Sequence, residues 1–198
     1  MRTNLLSYTD DQKHKARVEL SYLRADIYDK AAYSKQLCER ISALDEYKNA
    51  DCILLYFPTK SEPDLTSLAA KAQSDDKTVA FPISKTETCT LDFRTVSDVC
   101  ELCEGAYGIY EPKESAKRAL LTKDTLCIVP ALAVDLDGYR LGYGKGYYDR
   151  FLASFGGTAI VALHSTLVCE RLPRNDTDVP IKIIITEQEI YSKNESAL

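Results

Sequence analysis

The sequence predicts one α/β domain, residues 1–198, with a largely parallel central sheet flanked by helices. Three observations carry that prediction. The chain has 198 residues, a length at which a single domain buries roughly 70% of its unfolded surface. Hydrophobic residues make up 45% and charged residues 28%, the balance of a folded chain rather than a disordered one. Short uninterrupted apolar runs alternate with segments of helical period, which is the pattern of strands buried on both faces and joined by helical crossovers.

Taken in order, residues 10–30 carry Leu20, Leu23 and Ile27 at helical spacing, and a second helix is expected over residues 33–47. CILLYF (52–57) is a continuous apolar run stopped by Pro58 and reads as a strand buried on both faces. SEPDLTSLAAKA offers Ser61 as an N-cap and Pro63 in the first turn, so a helix is expected to start there. KTVAFP and CTLDFR (89–94) read as strands, and TLCIVPALAV (125–134) as a long one interrupted by Pro130. GKGYYDRFLASF is expected to be helical from Tyr147, and TAIVAL and IKIIIT are the last strands. Residues 111–124 read as a surface loop or short helix, and the closing SKNESAL as a frayed tail.

Composition narrows the class of partner. A net charge of −5 argues against nucleic acid, because binding a phosphate backbone needs a basic face. No run reaches the roughly 18 apolar residues of a spanning helix, so no membrane partner is expected. The start has no apolar core of signal-peptide length and carries Asp10 and Asp11, so a cytoplasmic location is expected. Seven cysteines are an odd number, and most sit in apolar stretches where a reduced thiol behaves as a small hydrophobe. A local basic cluster in an acidic chain points instead to a small anionic ligand.

In parallel sheets ligands bind beyond the carboxyl ends of the strands. The stretches expected there are residues 57–64, 134–149 and 164–178, and the unusual residues fall in them. Within RLGYGKGYYDR (140–150), Gly142, Gly144 and Gly146 let the backbone come close to a ligand and aim its N–H groups at one point. Lys145 adds a mobile point charge and Arg140 a planar bidentate donor, and a helix starting at Tyr147 would add its unpaired N–H groups. Such a loop suits a polyphosphate; a plain glycine-rich turn is the alternative. The spacing is neither G-x-G-x-x-G, since position 147 is Tyr147, nor a P-loop. Asp149 is placed either to hold Mg²⁺ on bound phosphates or only to complement a helix dipole.

The run VPALAVDLDGYRLGYGKGYYDRFL (129–152) resembles the signature of the 5-formyltetrahydrofolate cyclo-ligase family, also called 5,10-methenyltetrahydrofolate synthetases. The likeness extends to Lys13 and Arg17, to LLYFPTKSEPDL, to GIYEP (108–112) and to LPRNDTDVPIKIIITE (172–187). It implies a fold similar to sugar-phosphate isomerases and CoA transferases. It also implies an ATP- and Mg²⁺-dependent closure of 5-formyltetrahydrofolate to 5,10-methenyltetrahydrofolate, releasing ADP and phosphate through a phosphorylated formyl group.

The resemblance also implies roles. ATP would meet Lys13, Arg17 and the loop Arg140, Leu141, Gly142, Tyr143, Gly144, Lys145, Gly146, Tyr147 and Tyr148. The folate would meet Phe57, Glu62 and the loop from Tyr143 to Tyr147; Lys145 and Arg140 would neutralise the transferring group, and Asp149 and Asp178 would hold Mg²⁺. Without it, Lys13 and Arg17 read as solvated bases four apart on a helix, repelling by a few tenths of a kcal/mol unless a phosphate sits between them. Phe57 alone reads as the core end of a strand and Glu62 as a helix N-terminal acid. The chain departs from the family pattern at Tyr143, often arginine there, and at Leu167, where glutamine is common.

Other signals are weaker. CELC (100–103) has C-x-x-C spacing, but His14 and His164 are distant in sequence and no zinc set follows. His164 reads as a pocket residue or a hydrogen-bonded bystander. A sugar-phosphate isomerase or acyl-CoA transferase, and a folate-binding protein without turnover, are the competing readings, since fold does not fix chemistry. The chain is expected to act as a monomer on small molecules.

Overall fold

The computed structural model describes residues 10–59 and 61–192. Its elements in chain order begin with α1 (Asp10–Ala25), α2 (Lys30–Ala43), α3 (Asp45–Asn49), β1 (Cys52–Leu54), α4 (Ser67–Ser74), β2 (Thr78–Lys85) and β3 (Thr90–Thr95). There follow β4 (Cys103–Glu104), β5 (Tyr110–Glu111), β6 (Thr125–Val129), β7 (Ala133–Asp135), β8 (Arg140–Leu141) and α5 (Tyr147–Leu152). The last are β9 (Thr158–Ala162), β10 (Val168–Cys169), β11 (Ile183–Ile185) and β12 (Ile190–Ser192).

The central sheet has seven strands in the order β12-β11-β9-β6-β1-β2-β3. Its four inner pairings are parallel, and only β12 and β3 at the edges run antiparallel. Side chains of the inner strands alternate between two cores, as a strand's period of two requires. Leu126 and Ile128 join Ile53 and the buried faces of α2 and α4 on one side. Cys127 and Val129 join Leu54, Leu152 and Ala133 on the other. Burying each Leu or Ile fully is worth roughly 1.5–3 kcal/mol, which explains why β6 tolerates no polar residue beyond its first, Thr125. Two small sheets, β10-β7-β8 and the β4-β5 hairpin, flank the main one.

Several boundaries differ from the sequence expectations. The first helix ends at Ala25 rather than near Lys30, because Asp29 takes a left-handed conformation and accepts from the Ala32 amide, capping α2. The second expected helix is two, because Leu44 is extended (ψ 147°) between α2 and α3. The helix expected at Ser61 begins at Ser67 instead. The Glu62 carboxylate turns back to the Thr59 amide and Asp64 accepts from both the amide and hydroxyl of Thr66, so side-chain bonds hold this stretch in turns. β1 is shorter than CILLYF, although the Leu55 amide still bonds Ala80 O. Cys89 lies in a turn at φ 51°, so β3 starts one residue later than expected. Ser192 of SKNESAL closes β12 and the rest of that segment lies outside the described residues. Among the described residues no helix is long and apolar enough to cross a membrane.

Candidate active site

Beyond the carboxyl ends of β1, β2 and β6 the chain leaves a cavity of about 980 Å³. Every residue to which the resemblance gives a role lines it, from Lys13 and Arg17 on α1, through Phe57 and Glu62 after β1 and the loop from Arg140 to Asp149, to Asp178 before β11.

Helix α1 supplies the basic side. At about 100° per residue, Lys13, Arg17, Leu20 and Arg24 share one face. Leu20 packs on the core, and the three bases each find a protein acceptor. Lys13 Nζ pairs with Asp178 Oδ2 at 2.6 Å, both side chains being largely buried. Arg17 Nε donates to Gly142 O at 2.8 Å. Arg24, 3% exposed, donates through Nη2 to the carbonyls of Ala131 and Leu132 and through Nη1 to the Tyr143 hydroxyl at 3.3 Å. Repulsion between Lys13 and Arg17 is therefore offset by the protein itself, and a phosphate between them is not needed to relieve it. Arg24 was not singled out by the sequence reading, although its spacing from Arg17 places it on the same stripe.

The glycine loop follows β8. Gly144 has φ 98° and Gly146 φ 71°, backbone that side chains rarely adopt. Gly142 is neither left-handed nor crowded, with nothing within 4 Å of where a Cβ would stand, so the expectation that all three glycines meet a backbone demand holds for two. Lys145 is exposed at the cavity, and its carbonyl accepts from Arg150 Nη1 at 2.8 Å. Tyr147 begins α5 as expected.

Arg140 is buried and committed at both ends: Nη1 donates to Val179 O and Nη2 to Asp149 Oδ1, each at 2.8 Å. The Val179 amide also donates to Asp149 Oδ1 at 3.3 Å, and the Asn175 amide to Asp178 Oδ2 at 2.6 Å. Asp149 and Asp178 thus meet around residues 175–179, each paired with a cation. Among the described residues no group of three or more His, Cys, Asp or Glu side chains could hold a metal. Two hard oxygen donors on one cavity nevertheless suit Mg²⁺, which takes one or two carboxylates and completes its shell with water and phosphate oxygens.

Glu62 is 3% exposed and accepts from the Thr59 amide at 2.8 Å. Phe57 is half-buried and its ring lies 5.0 Å from that of Tyr110. Tyr148 places its hydroxyl out of solvent with no hydrogen-bond partner among the described residues, and burial pushes the phenol well above its ordinary pKa. It therefore stays neutral across the physiological range. The sequence reading gave no role to the β4–β5 hairpin, which contributes Tyr107, Ile109, Tyr110 and Glu111 to the lining; the Tyr107 and Tyr147 hydroxyls meet at 3.2 Å. GIYEP was the signal that pointed to this hairpin.

His164 is not among the cavity residues. It bonds Thr166 and packs edge-on against Tyr33, while Ser165 Oγ bonds Glu187 at 2.5 Å, so no serine–histidine pair forms here. Leu167 is also away from the cavity, buried in the core. The Tyr143 departure has a local counterpart, since its hydroxyl accepts from a buried guanidinium that an arginine would repel.

The sequence model of the 5-formyltetrahydrofolate cyclo-ligase family matches residues 9–187. The Haemophilus influenzae 5-formyltetrahydrofolate cyclo-ligase is 27% identical over 178 residues, covering 86% of this chain and 95% of that protein. The NMR structure of Aquifex aeolicus 5,10-methenyltetrahydrofolate synthetase superposes with a TM-score of 0.80 at 32% identity, covering 94% of this chain and 95% of the other. A 5,10-methenyltetrahydrofolate synthetase from Mycoplasma pneumoniae, at 20% identity, shares the fold with a TM-score of 0.71, covering 90% of this chain and 99% of its own.

Proposed function

Because the chain belongs to the 5-formyltetrahydrofolate cyclo-ligase family, we propose that it is an ATP-dependent ligase that closes 5-formyltetrahydrofolate to 5,10-methenyltetrahydrofolate. The observation that carries this reading is that segments up to 165 residues apart, such as Lys13 and Asp178, converge on one cavity with a basic, glycine-rich side and an aromatic, carboxylate-bearing one.

In this reading the γ-phosphoryl group moves from ATP to the formyl oxygen, leaving ADP. The second folate nitrogen then attacks the formyl carbon and loses its N–H proton, and the C–O bond breaks with phosphate as the leaving group, which can carry that proton away. A formyl oxygen bound as an amide leaves poorly, and its phosphate ester leaves readily. Little covalent chemistry falls to the protein, so positioning and charge neutralisation carry the catalysis.

Lys145 meets the transferring phosphoryl group, because its ammonium stands exposed at the cavity on a loop held by Arg17 and Arg150. Arg140 adds charge from the loop's base, where it braces Asp149. The N–H groups around Gly144 and Gly146 bind phosphate oxygens. Asp149 and Asp178 would hold Mg²⁺, which neutralises phosphate charge when bound. Glu62 accepts from the N–H groups of the pterin, and Phe57 offers it a ring face.

The test is the near-ultraviolet absorbance of methenyltetrahydrofolate when the protein meets 5-formyltetrahydrofolate, ATP and Mg²⁺. Signal that needs all three is expected. Folded protein that binds Mg-ATP yet gives no signal would assign the phosphate cradle to another substrate.

A further inference from the structure

The β4–β5 hairpin carries aromatic lining residues on a frame that could not hold them alone. It has two residue pairs, Cys103 with Glu111 and Glu104 with Tyr110, and so short a ribbon is marginal without packing elsewhere. Its tip is tightly wound, with Tyr107 at φ 59° and Gly108 at φ 71°. Something must fix it to the body of the protein if Tyr107 and Tyr110 are to stand in defined places.

Glu111 supplies that fixture. It is 6% exposed, and its Oε1 accepts from the Ser84 amide of β2 at 3.1 Å. The same carboxylate lies over Gly105, where a Cβ would fall 2.5 Å from Oε2 and 2.7 Å from Cδ. Gly105 has φ −119°, outside the left-handed region, so the neighbouring carboxylate rather than a positive φ excludes a side chain here. An acid on β5 thus crosses the glycine that follows β4 and reaches the main sheet.

We propose that Glu111, seated over Gly105, is a positioning residue that pins the aromatic hairpin to β2 and thereby sets affinity for the planar pyrimidine ring of the reduced folate far more than affinity for ATP. The proposal rests on the cyclo-ligase reading above. The hairpin meets the site through rings, Tyr110 against Phe57 and Tyr107 against Tyr147, and ring faces recognise planar heterocycles. The phosphate cradle is braced from α1 and residues 175–179, and the hairpin meets that loop at its far end, at Tyr147.

The experiment measures steady-state kinetics with formylfolate and ATP varied separately, alongside melting temperature, for Glu111→Ala, Glu111→Gln, Gly105→Ala and the Gly105→Ala/Glu111→Ala double variant. Glu111→Ala and Gly105→Ala should each raise KM for formylfolate about tenfold, leaving KM for ATP and kcat within about twofold. Glu111→Gln should stay near wild type, because its carboxamide oxygen still accepts from Ser84. The double variant should be no worse than Glu111→Ala, because the added methyl no longer meets a carboxylate.

Wild-type kinetics in Gly105→Ala, additive losses in the double variant, or parallel rises in both KM values with a lower melting temperature would each overturn the inference while the cyclo-ligase reading stands. If Glu111→Ala does not fold, Gly105→Ala against Glu111→Gln decides the same question. Wild-type protein that neither binds nor converts formylfolate would defeat the cyclo-ligase reading, and the inference with it.

Discussion

The two sides of the cavity are built on opposite plans. The glycine-loop side is cross-braced by charged groups from distant parts of the chain: Lys13 to Asp178, Arg17 to Gly142, Arg24 to Ala131 and Leu132, Arg140 to Asp149 and Val179. The hairpin side is a local ribbon of rings set against β2, where the Glu111 carboxylate accepts from the Ser84 amide. Stabilising a transferring phosphoryl group requires dipoles and charges fixed in advance, and long-range bracing provides that. A flat heterocycle needs ring faces at the right separation, which a short ribbon can present with few anchors.

The sharpest way to break this comparison is to remove a cation that faces the cavity on the braced side without bracing it. Lys145 is exposed, and among the described residues its ammonium braces no element. Lys145→Ala should lower kcat by about 100-fold or more with an unchanged melting temperature. Near-normal turnover would remove Lys145 from the mechanism. Arg24→Leu asks the reverse question, since this guanidinium braces without reaching the cavity. It leaves two carbonyls without their donor and should cost about 2–4 kcal/mol in equilibrium urea unfolding. A loss below about 1 kcal/mol would mean that solvent or a neighbour satisfies those carbonyls, and the bracing argument would fail at its centre.

How far the sequence could reveal this architecture depends on the range of the interactions. The parallel sheet was legible because strands buried on both faces must be apolar along their length, as β6 is after Thr125. The start of α5 at Tyr147 was legible because glycines and a following amphipathic run are local signals. The false helix start at Ser61 came from reading a serine and a proline as a cap, when Glu62 and Asp64 use their own carboxylates to hold the backbone in turns. At the site, the resemblance named the residues but not their pairing. Asp149 and Asp178 as partners of Arg140 and Lys13 depend on contacts across 9 and 165 residues, which composition does not encode. Glu111 and Gly105 were missed because neither residue is unusual until the hairpin places one over the other.

The segment after β9 sharpens the comparison from outside. Residues 175–179 belong to the braced side, whereas the turn at Ser165–Leu167 does not reach the cavity. Burial alone would raise the Glu187 carboxyl, but the Ser165 hydroxyl and amide, with His164, outweigh it and hold the group below its ordinary value. A depressed folded pKa contributes stability above the unfolded carboxylate pKa, and that contribution disappears as pH falls through the folded value. Ser165→Ala should therefore cost about 1 kcal/mol at pH 7, and the gap to wild type should close as pH falls below about 4, with turnover unaffected. A gap that persists to low pH would mean that the hydroxyl, not the ionised carboxylate, matters.

The smallest effect is expected at Gly142, and it separates what the fold demands from what a ligand demands. Gly144→Ala must place a side chain at φ 98° and within 3.2 Å of the Arg17 guanidinium, so it should disturb the brace even without substrate. Gly142→Ala meets open space, and its carbonyl remains free to accept from Arg17. Its stability should lie within about 0.5 kcal/mol of wild type, because nothing in the folded chain opposes a methyl there. Nucleotide affinity by calorimetry then becomes the informative measurement. Unchanged affinity would assign the cradle to the two left-handed glycines. A loss of affinity in a protein that melts normally would mean that a phosphate approaches the backbone at Gly142 as closely as Glu111 approaches Gly105, and that the third glycine is required by the ligand alone.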